Sequence, residues 1–237
     1  MKTAIIDKRA PEAARRELMR RGFFVLDAPR AKGLSEPLSS HPDMLLFHLS
    51  GTVVTSADLV EAEPAFFDDL SRLTRLDFKI TADSFGEVYP SDAIYNALAV
   101  GDFVFAKCDT VSQGVKELAE KCGKRLVDVK QGYPACTVLP LGENAAVTAD
   151  RGMARAMEKC GIRVTLIEDG GIALPPYEYG FIGGAAGVYR DTVYFLGDPM
   201  THPSGEAILR ATEDAGLRAV SLFGGELLDL GRIIFAE

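Results

Sequence analysis

The sequence predicts a single α/β domain built from about five copies of one strand-helix-strand unit. The first observation is a recurring segment, because Glu-Lys-Cys-Gly stands at residues 120–123 and 158–161 and Glu-Asp-Ala-Gly at 213–216. The second observation is that another glycine follows nine positions later in all three copies, at Gly132, Gly170 and Gly225. A helix stopped by glycine, a short strand and a glycine bend explain this pattern.

An apolar strand and an amphipathic helix are predicted before each segment. The helices carry apolar residues three and four positions apart, as at Met153, Met157 and Cys160. The predicted first strands of the units are residues 3–6, 44–47, 103–106, 145–148 and 192–196. The expected unit boundaries are 1–43, 44–100, 101–143, 144–190 and 191–237.

Two of these units lack the tetrapeptide and are assigned from the order of their elements. The N-terminal unit continues with a helix at 11–21 and a strand at 23–26. The second unit continues with helical sequence at 57–73 and a strand at 76–80, and it carries an extra segment. The five units account for nearly all of the chain, so we expect one domain over residues 1–237.

The sequences at the two ends of the chain indicate how the units assemble. Sequential units stack into an open solenoid or close into a ring, and an open solenoid needs polar capping repeats. Neither end is a cap, since residues 3–6 and 232–235 both read as apolar strands. The sequence therefore favours a five-bladed α/β propeller with strands around an axis and helices outside.

Composition and charge narrow the classes of partner. The hydrophobic fraction of 47% and charged fraction of 25% are those of a globular protein. The net charge of −8 disfavours nucleic acid and suits a small cation. No apolar run reaches the length of a membrane helix and the N-terminus has no signal-peptide layout, so we expect no membrane association and a cytoplasmic location.

The sequence carries no signature of a metal or cofactor. The four cysteines form no C-x-x-C pair and are expected to be free thiols. The glycine-rich segment at 180–187 fits neither the dinucleotide nor the P-loop pattern, and a tight turn explains it better. We therefore expect no metal and no cofactor.

Four local motifs carry a resemblance to a known superfamily. They are Ser-His-Pro-Asp at 40–43, Tyr-Pro-Ser-Asp at 89–92, Lys-Gln-Gly-Tyr-Pro-Ala-Cys at 130–136 and Gly-Phe-Ile-Gly-Gly at 180–184. With the five units, they resemble an uncharacterised bacterial branch of the penteins, the guanidino-group-modifying enzymes. The resemblance implies a cysteine-dependent hydrolase or transferase acting on a small guanidine-like or amidine-like cation. The superfamily also includes a ribosome anti-association factor, so a non-catalytic binding protein is the alternative.

One departure from the superfamily bears on the chemistry. In its enzymes the nucleophilic cysteine typically follows the glycine bend of the last unit, whereas the bend at 224–229 has no cysteine. Asp229 and Cys136 each stand four positions after a bend glycine, in different units. Either the site has moved by two units, or the superfamily's standard chemistry is absent.

A guanidinium substrate needs a thiolate to attack its carbon, carboxylates to hold its N–H groups and an acid for the departing amine. Cys136 is the candidate nucleophile and should then be partly exposed and biased toward thiolate. The alternative is a buried hydrophobe that begins a strand. His41 is the candidate acid or base, with an ordinary turn as the alternative. Asp43 and Asp92 are the candidate carboxylates, although Asp92 also suits the start of a helix at 92–98.

Three further residues are predicted to bind substrate. Asn96 would share a helix face with Asp92, and Gln131 stands beside the Gly132 bend. His202 introduces the last helix, where it would bind substrate or merely help to cap that helix. Asp150 precedes Arg-Gly-Met-Ala and reads directly as a helix N-cap.

Overall fold

The computed structural model describes all 237 residues, and its helices are short. The α-helices are α1 (Glu12–Arg20), α2 (Pro42–Leu45), α3 (Ala57–Ala62), α4 (Pro64–Leu73), α5 (Gln113–Lys121), α6 (Pro134–Thr137), α7 (Arg151–Lys159) and α8 (Gly205–Asp214). Two 3-10 turns cover Glu36–Leu38 and Pro199–Thr201. None of the helices has the length and apolar composition that crossing a bilayer requires.

The strands are also short, and most of them belong to three-stranded sheets. In chain order they are β1 (Thr3–Asp7), β2 (Phe24–Ala28), β3 (Phe47–Leu49), β4 (Thr52–Ser56), β5 (Asp77–Thr81), β6 (Leu98–Val100), β7 (Phe103–Ala106), β8 (Arg125–Asp128), β9 (Val138–Pro140), β10 (Ala145–Thr148), β11 (Arg163–Leu166), β12 (Ile172–Ala173), β13 (Ala186–Tyr189), β14 (Thr192–Phe195), β15 (Arg218–Ser221), β16 (Leu227–Leu228) and β17 (Ile234–Ala236).

Five sheets have the same connectivity. Their strand orders are β17-β1-β2, β3-β4-β5, β6-β7-β8, β9-β10-β11 and β13-β14-β15. In each sheet the central strand pairs antiparallel with the first named strand and parallel with the last. A helical connection joins the two parallel strands, as such a crossover requires. We call the strand antiparallel to the centre the inner strand; these are β17, β3, β6, β9 and β13.

Glycines end the helices as the sequence predicts. Gly22, Gly123, Gly161 and Gly216 follow α1, α5, α7 and α8 with φ of +86°, +67°, +80° and +74°. This left-handed conformation closes a helix at little cost only without a Cβ. The bend glycines follow the third strands of their sheets. Gly170 and Gly225 have positive φ, whereas Gly132 instead lies against the Tyr89 ring.

Two predicted elements differ from the structure. Residues 44–47 do not form the first strand of the second unit, because Pro42 begins helix α2 and the strand that leads into the helices is β4. Residues 92–98 do not form a helix either. They make turns with hydrogen bonds such as Asn96 N–H to the Ala93 carbonyl, and every side chain from 92 to 98 is buried, which leaves no solvent face for a surface helix.

The apolar core consists of five clusters, and each cluster contains residues of two of these five three-stranded sheets. Ile5 and Val53 join the β1 and β4 sheets, Val54 and Val104 join the β4 and β7 sheets, and Phe105 and Ala146 join the β7 and β10 sheets. Val147 and Val193 join the β10 and β14 sheets, and Tyr194 and Ile6 join the β14 and β1 sheets. Every sheet therefore shares apolar clusters with two others.

Candidate active site

Buried polar side chains gather where the chain approaches the inner strands. His41, Asp43, Asn96, Cys136 and Asp229 are each at most 4% exposed, with Cys136 the most exposed of them at 4%. Helix α2 carries Asp43 and is followed by β3, and helix α6 carries Cys136 and leads into β9. Such burial is unusual for carboxylates without charged partners and indicates a functional cluster.

Proline starts both short helices that position this cluster. Pro42 follows His41 and begins α2, and Pro134 begins α6, where its missing N–H costs no hydrogen bond. The two helices place Asp43 and Cys136 against one another. The Cys136 thiol donates to Asp43 Oδ2, with 3.0 Å between sulfur and oxygen.

The Asn96 amide connects the two helices. Its Oδ1 accepts the Ala135 N–H at 2.8 Å, and its Nδ2 lies 3.1 Å from the Cys136 sulfur and 3.3 Å from the Asp43 carbonyl oxygen. One side chain therefore fixes the thiol, the backbone that carries it and the neighbouring helix. This is the geometry of a positioning residue for the thiol.

Asp229 enters the cluster from the other side. Its carboxylate accepts the Phe181 N–H at 2.9 Å and the Gly231 N–H at 3.1 Å. Gly184 packs directly on it, since a Cβ added at Gly184 would lie 1.9 Å from Asp229 Oδ1. The glycine-rich segment thus leaves space for a buried carboxylate.

His41 stands between two carboxylates. Its Nε2 is 3.9 Å from Asp7 Oδ2 and its Nδ1 is 4.0 Å from Asp229 Oδ1, and neither ring nitrogen has a hydrogen-bond partner. Asp7 is paired with the guanidinium of Arg9. Burial lowers the pKa of His41 to about 4, although the Asp7 charge acts in the opposite direction. The imidazole is therefore neutral at neutral pH.

Burial also raises the pKa values of the acidic groups. It raises the pKa of Asp43 to about 6, with the Cys136 hydrogen bond opposing, and that of Asp229 to about 7, with the Asp43 charge adding to the shift. Burial and the two carboxylates raise the pKa of the Cys136 thiol well above its usual value. The expectation of a partly exposed thiol biased toward thiolate is therefore wrong for the free protein, because desolvation and like charge both disfavour the thiolate.

A cavity of about 190 Å³, here called the aromatic cavity, lies over this cluster and is partly open to solvent, since two of its lining residues, Tyr177 and Tyr179, are 46% and 37% exposed. Its lining consists of four aromatic residues, three other apolar residues and three polar ones. They are Tyr133, Tyr177, Tyr179 and Phe181, then Leu38, Met44 and Leu174, and finally His41, Cys136 and Asp229. Aromatic faces and a carboxylate both attract cations. No group of three or more His, Cys, Asp or Glu side chains is arranged to hold a metal ion.

Four of the seven candidate site residues lie together, and three lie elsewhere. His41, Asp43, Asn96 and Cys136 form the cluster, although Asp43 lies behind Cys136 and does not line the aromatic cavity. Asp92 accepts the Tyr133 hydroxyl at 2.6 Å, so it reaches the cavity only through that ring. Burial raises the pKa of Asp92.

The other two predicted binding residues have local partners. Gln131 Nε2 donates to the Asp150 carboxylate at 2.7 Å, and Asp150 also caps helix α7, as predicted. His202 Nδ1 accepts the Ser204 N–H at 2.9 Å just before helix α8, and His202 lines a separate surface groove. Neither Gln131 nor His202 lines the aromatic cavity.

Several residues of the site and its surroundings carry little or no signal in the sequence. Asp229 was marked only by its equivalent position to Cys136 after a bend glycine. Nothing in the local sequence marks Asp7 or Arg232, which reach the cluster through the pairing of the two ends of the chain, β1 with β17. Tyr177 and Tyr179 lie in an irregular segment whose path no periodicity reveals.

The fold is similar to that of several guanidino-modifying enzymes of known structure. DDAH from Pseudomonas aeruginosa, solved as a variant complexed with citrulline, has a TM-score of 0.58 and 11% identity over 93% of this chain and 90% of that chain. The amidinotransferase SxtG from Microseira wollei has a TM-score of 0.54 and 11% identity over 96% of this chain and 93% of that chain. Agmatine deiminase from C. jejuni has a TM-score of 0.52 and 8% identity over 84% of this chain and 69% of that chain. The protein thus has the pentein fold, as the sequence resemblance predicts.

A match of the sequence to a family model identifies the family of this chain. Residues 5–234 match the model of the family of unknown function DUF6873, and the chain belongs to that family. No curated protein matches the sequence at a significant level. The structural neighbours are guanidino-modifying enzymes, but at this level of identity they establish the fold alone.

Proposed function

We propose that this chain binds a small guanidinium or amidinium compound in the aromatic cavity and that Cys136 attacks its planar carbon. One observation carries the proposal: Cys136 and Asp229 line a cavity with aromatic walls, and Asp43 touches the thiol from behind. The structural neighbours named as an amidinotransferase and an agmatine deiminase support this class of substrate.

We further propose that the five sheets surround one axis as a five-bladed propeller. Each sheet shares an apolar cluster with two others, which is the contact pattern of a closed ring. A second cavity is lined by residues of all five inner strands, as expected if these strands surround the axis. The candidate site would then lie at one end of that axis.

Binding follows from the charges that line the aromatic cavity. The free cavity is lined by a neutral imidazole and by the Asp229 carboxyl, whose pKa is about 7, so cation binding favours the ionised form of Asp229. Asp229 makes the charge-assisted contact and the rings cover the faces of the cation. This reassigns the contact from Asp43 and Asp92 to Asp229, because only Asp229 lines the cavity.

The bound cation also supplies the positive charge that Cys136 needs to form a thiolate. A positive charge beside Cys136 offsets the two carboxylates and lowers the pKa of the thiol. Asp43 accepts the thiol proton across the 3.0 Å contact, and the sulfur forms a bond to the amidinium carbon. The attack neutralises the cation, so Asp229 takes up a proton from solvent and passes it to the departing nitrogen as the C–N bond breaks; its pKa of about 7 suits both transfers.

Water completes the reaction. The Asp229 carboxylate takes a proton from a water molecule as its oxygen bonds to the carbon, and Asp229 then returns to solvent the proton that it took up earlier. The C–S bond breaks, the sulfur regains its proton from Asp43, and the new hydroxyl passes its proton to the released amine. The sum is amidinium plus water giving a carbonyl compound and ammonium or an alkylammonium ion. His41 lines the same cavity, with its neutral imidazole 4.0 Å from the Asp229 carboxyl.

A binding protein without turnover is the second candidate function. Two features favour it: Asp229 stands where the superfamily's nucleophile is expected, and Cys136 is buried with a raised thiol pKa. Both candidates use the same cavity. They differ only in whether a product forms.

The test is calorimetric titration with arginine, agmatine, a methylated arginine and guanidinoacetate, followed by assay of ureido product and released amine. At least one compound should bind, and Asp229→Asn should weaken it by roughly ten- to a hundredfold. Asp92→Asn is the matched control, since Asp92 is also a buried carboxylate, does not line the cavity and as asparagine still offers an oxygen to the Tyr133 hydroxyl; it should change affinity by less than about threefold.

The outcomes separate the candidates. Product formation that is lost in Cys136→Ala supports the enzyme. Binding without product supports the binding protein. If no compound binds the wild type, or if Asp229→Asn leaves the affinity unchanged, the guanidinium proposal is wrong.

A further inference from the structure

A second cavity lies on the opposite side of the Asp43–Cys136 contact. This strand cavity has a volume of about 260 Å³ and shares no lining residue with the aromatic cavity. Each inner strand contributes to it, as His48, Ala99, Pro140, Val188 and Phe235. Most of its lining is apolar, and its two charged residues are Asp43 and Arg232.

Arg232 presents unused hydrogen-bond donors to this cavity. A guanidinium has five N–H groups, yet Arg232 donates only to the Val138 carbonyl, at 3.3 Å, and forms no ion pair within 4 Å. The residue is held with a φ of +66°, a conformation that arginine rarely adopts. The Arg232 side chain is half-buried, and burial lowers the pKa of its guanidinium.

We propose that the strand cavity binds a small monocarboxylate with a short apolar chain, held through its carboxylate by Arg232. The guanidinium fork matches a carboxylate in two parallel hydrogen bonds, and the apolar lining takes the chain. The volume is below that of sites for drug-sized ligands, which limits the chain to a few carbons. This inference does not depend on the proposed function, because the predicted contacts with the carboxylate and its apolar chain use no residue that lines the aromatic cavity.

Asp43 gives the site a pH dependence of known sign. Its carboxyl lines the same cavity, its Oδ2 accepts the Cys136 thiol and its Oδ1 has no partner. The charged or titratable groups that act on it are Arg232, Cys136 and Asp229, and His48, whose pKa is lowered by burial, is the other titratable side chain of this cavity. Ionised Asp43 repels an anion, so carboxylate affinity should rise as the pH falls from 8 toward 6, where Asp43 takes up a proton.

The experiment is calorimetric titration with isobutyrate and, as its neutral isostere, isobutyramide. At pH 6 isobutyrate should bind at least about ten times more tightly than isobutyramide, and its affinity should fall at pH 8. Arg232→Gln should abolish that preference. Arg190→Gln is the matched control, because Arg190 also has a left-handed φ, of +54°, but lies on the surface outside both cavities, and it should leave isobutyrate binding unchanged.

A second variant keeps the proposal testable if Arg232→Gln fails to fold. Ala99→Leu fills part of the strand cavity from strand β6 without touching the charge, and it should weaken isobutyrate binding by at least about tenfold. Circular dichroism and thermal unfolding identify variants that do not fold. Equal binding of isobutyrate and isobutyramide, no isobutyrate binding to the wild type, or unchanged binding by folded Arg232→Gln would each overturn the proposal.

Discussion

The two cavities on either side of the Asp43–Cys136 contact differ in almost every property that governs binding. The aromatic cavity has ring walls and an acidic lining, whereas the strand cavity has mainly apolar walls and the guanidinium of Arg232. Equivalent positions of the sheets produce this difference. Two residues before the first residue of β6, β9, β13 and β17 stand Asn96, Cys136, Gly184 and Arg232. The position two residues before these four inner strands is thus occupied by an amide, a thiol, no side chain and a cation in turn.

Adding a side chain at Gly184 should have the largest measurable effect of the changes considered. A Cβ there would lie 1.9 Å from Asp229 Oδ1, so Gly184→Ala must displace the carboxylate and its two backbone hydrogen bonds. We expect a loss of about 3 kcal/mol in the free energy of unfolding. Gly224→Ala is the control, because nothing lies within 4 Å of the added Cβ and the backbone is not left-handed.

Chemical denaturation of both glycine variants measures this difference. The folded fraction of Gly184→Ala should also lose binding in the aromatic cavity while it retains isobutyrate binding in the strand cavity. Equal stability of the two variants would show that Gly184 is not needed to accommodate Asp229.

The aromatic walls should matter to one cavity and not to the other. Tyr177 lines the aromatic cavity but is 46% exposed, so replacing it disturbs little of the core. Tyr177→Ala should cost the bound cation about 1 kcal/mol, or about fivefold in affinity, and leave isobutyrate unaffected. Phe24→Ala removes an equally exposed ring outside both cavities and should change neither titration.

A smaller effect is expected in the pH dependence of stability. The folded pKa of Asp229 is raised to about 7, whereas an unfolded aspartate titrates near 4, so above pH 6 only the folded state still has a proton to lose. Ionisation of Asp229 therefore lowers the free energy of unfolding of the wild type as the pH rises. Asp229→Asn lacks this group.

The measured quantity is the stability of Asp229→Asn minus that of the wild type, in which the contributions of the three histidines cancel. From pH 6 to pH 8 this difference should increase by about 1 kcal/mol in favour of the variant. Urea denaturation at both values measures it. A difference that does not change with pH would mean that the Asp229 carboxyl is not desolvated.

Local chemistry explains which parts of the fold could be predicted from the sequence. The helix ends at Gly123, Gly161 and Gly216 were predictable because a left-handed residue after a helix favours glycine wherever it occurs. The missing helix at 92–98 was not, because these residues are buried by contacts from distant segments, such as Asn96 with Ala135. Helical propensity is a weak prior against such burial.

The same distinction applies to the site. His41, Asp43, Asn96 and Cys136 were predictable as neighbours, since each closely precedes an inner strand. Arg232 was not, because it takes its place only when β17 pairs with β1. The burial of Cys136 also depends on distant partners, and it reversed the expected ease of forming a thiolate.

Competition between a cationic and a neutral alkylating reagent tests the central claim most directly. 2-Chloroacetamidine and 2-chloroacetamide have nearly the same shape, and either forms a C–S bond with a thiol as chloride leaves and the thiol proton is released. Cys108, Cys122 and Cys160 are partly exposed and lie outside the aromatic cavity, so they report the intrinsic ratio of the two rates. Mass spectrometry of the native protein measures all four thiols at once. We predict that the ratio of the rate with 2-chloroacetamidine to the rate with 2-chloroacetamide is at least about ten times larger at Cys136 than at those three thiols. Asp229→Asn should remove this difference. The same ratio at Cys136 as at the other three cysteines would contradict the assignment of the aromatic cavity as a site for amidinium and guanidinium cations.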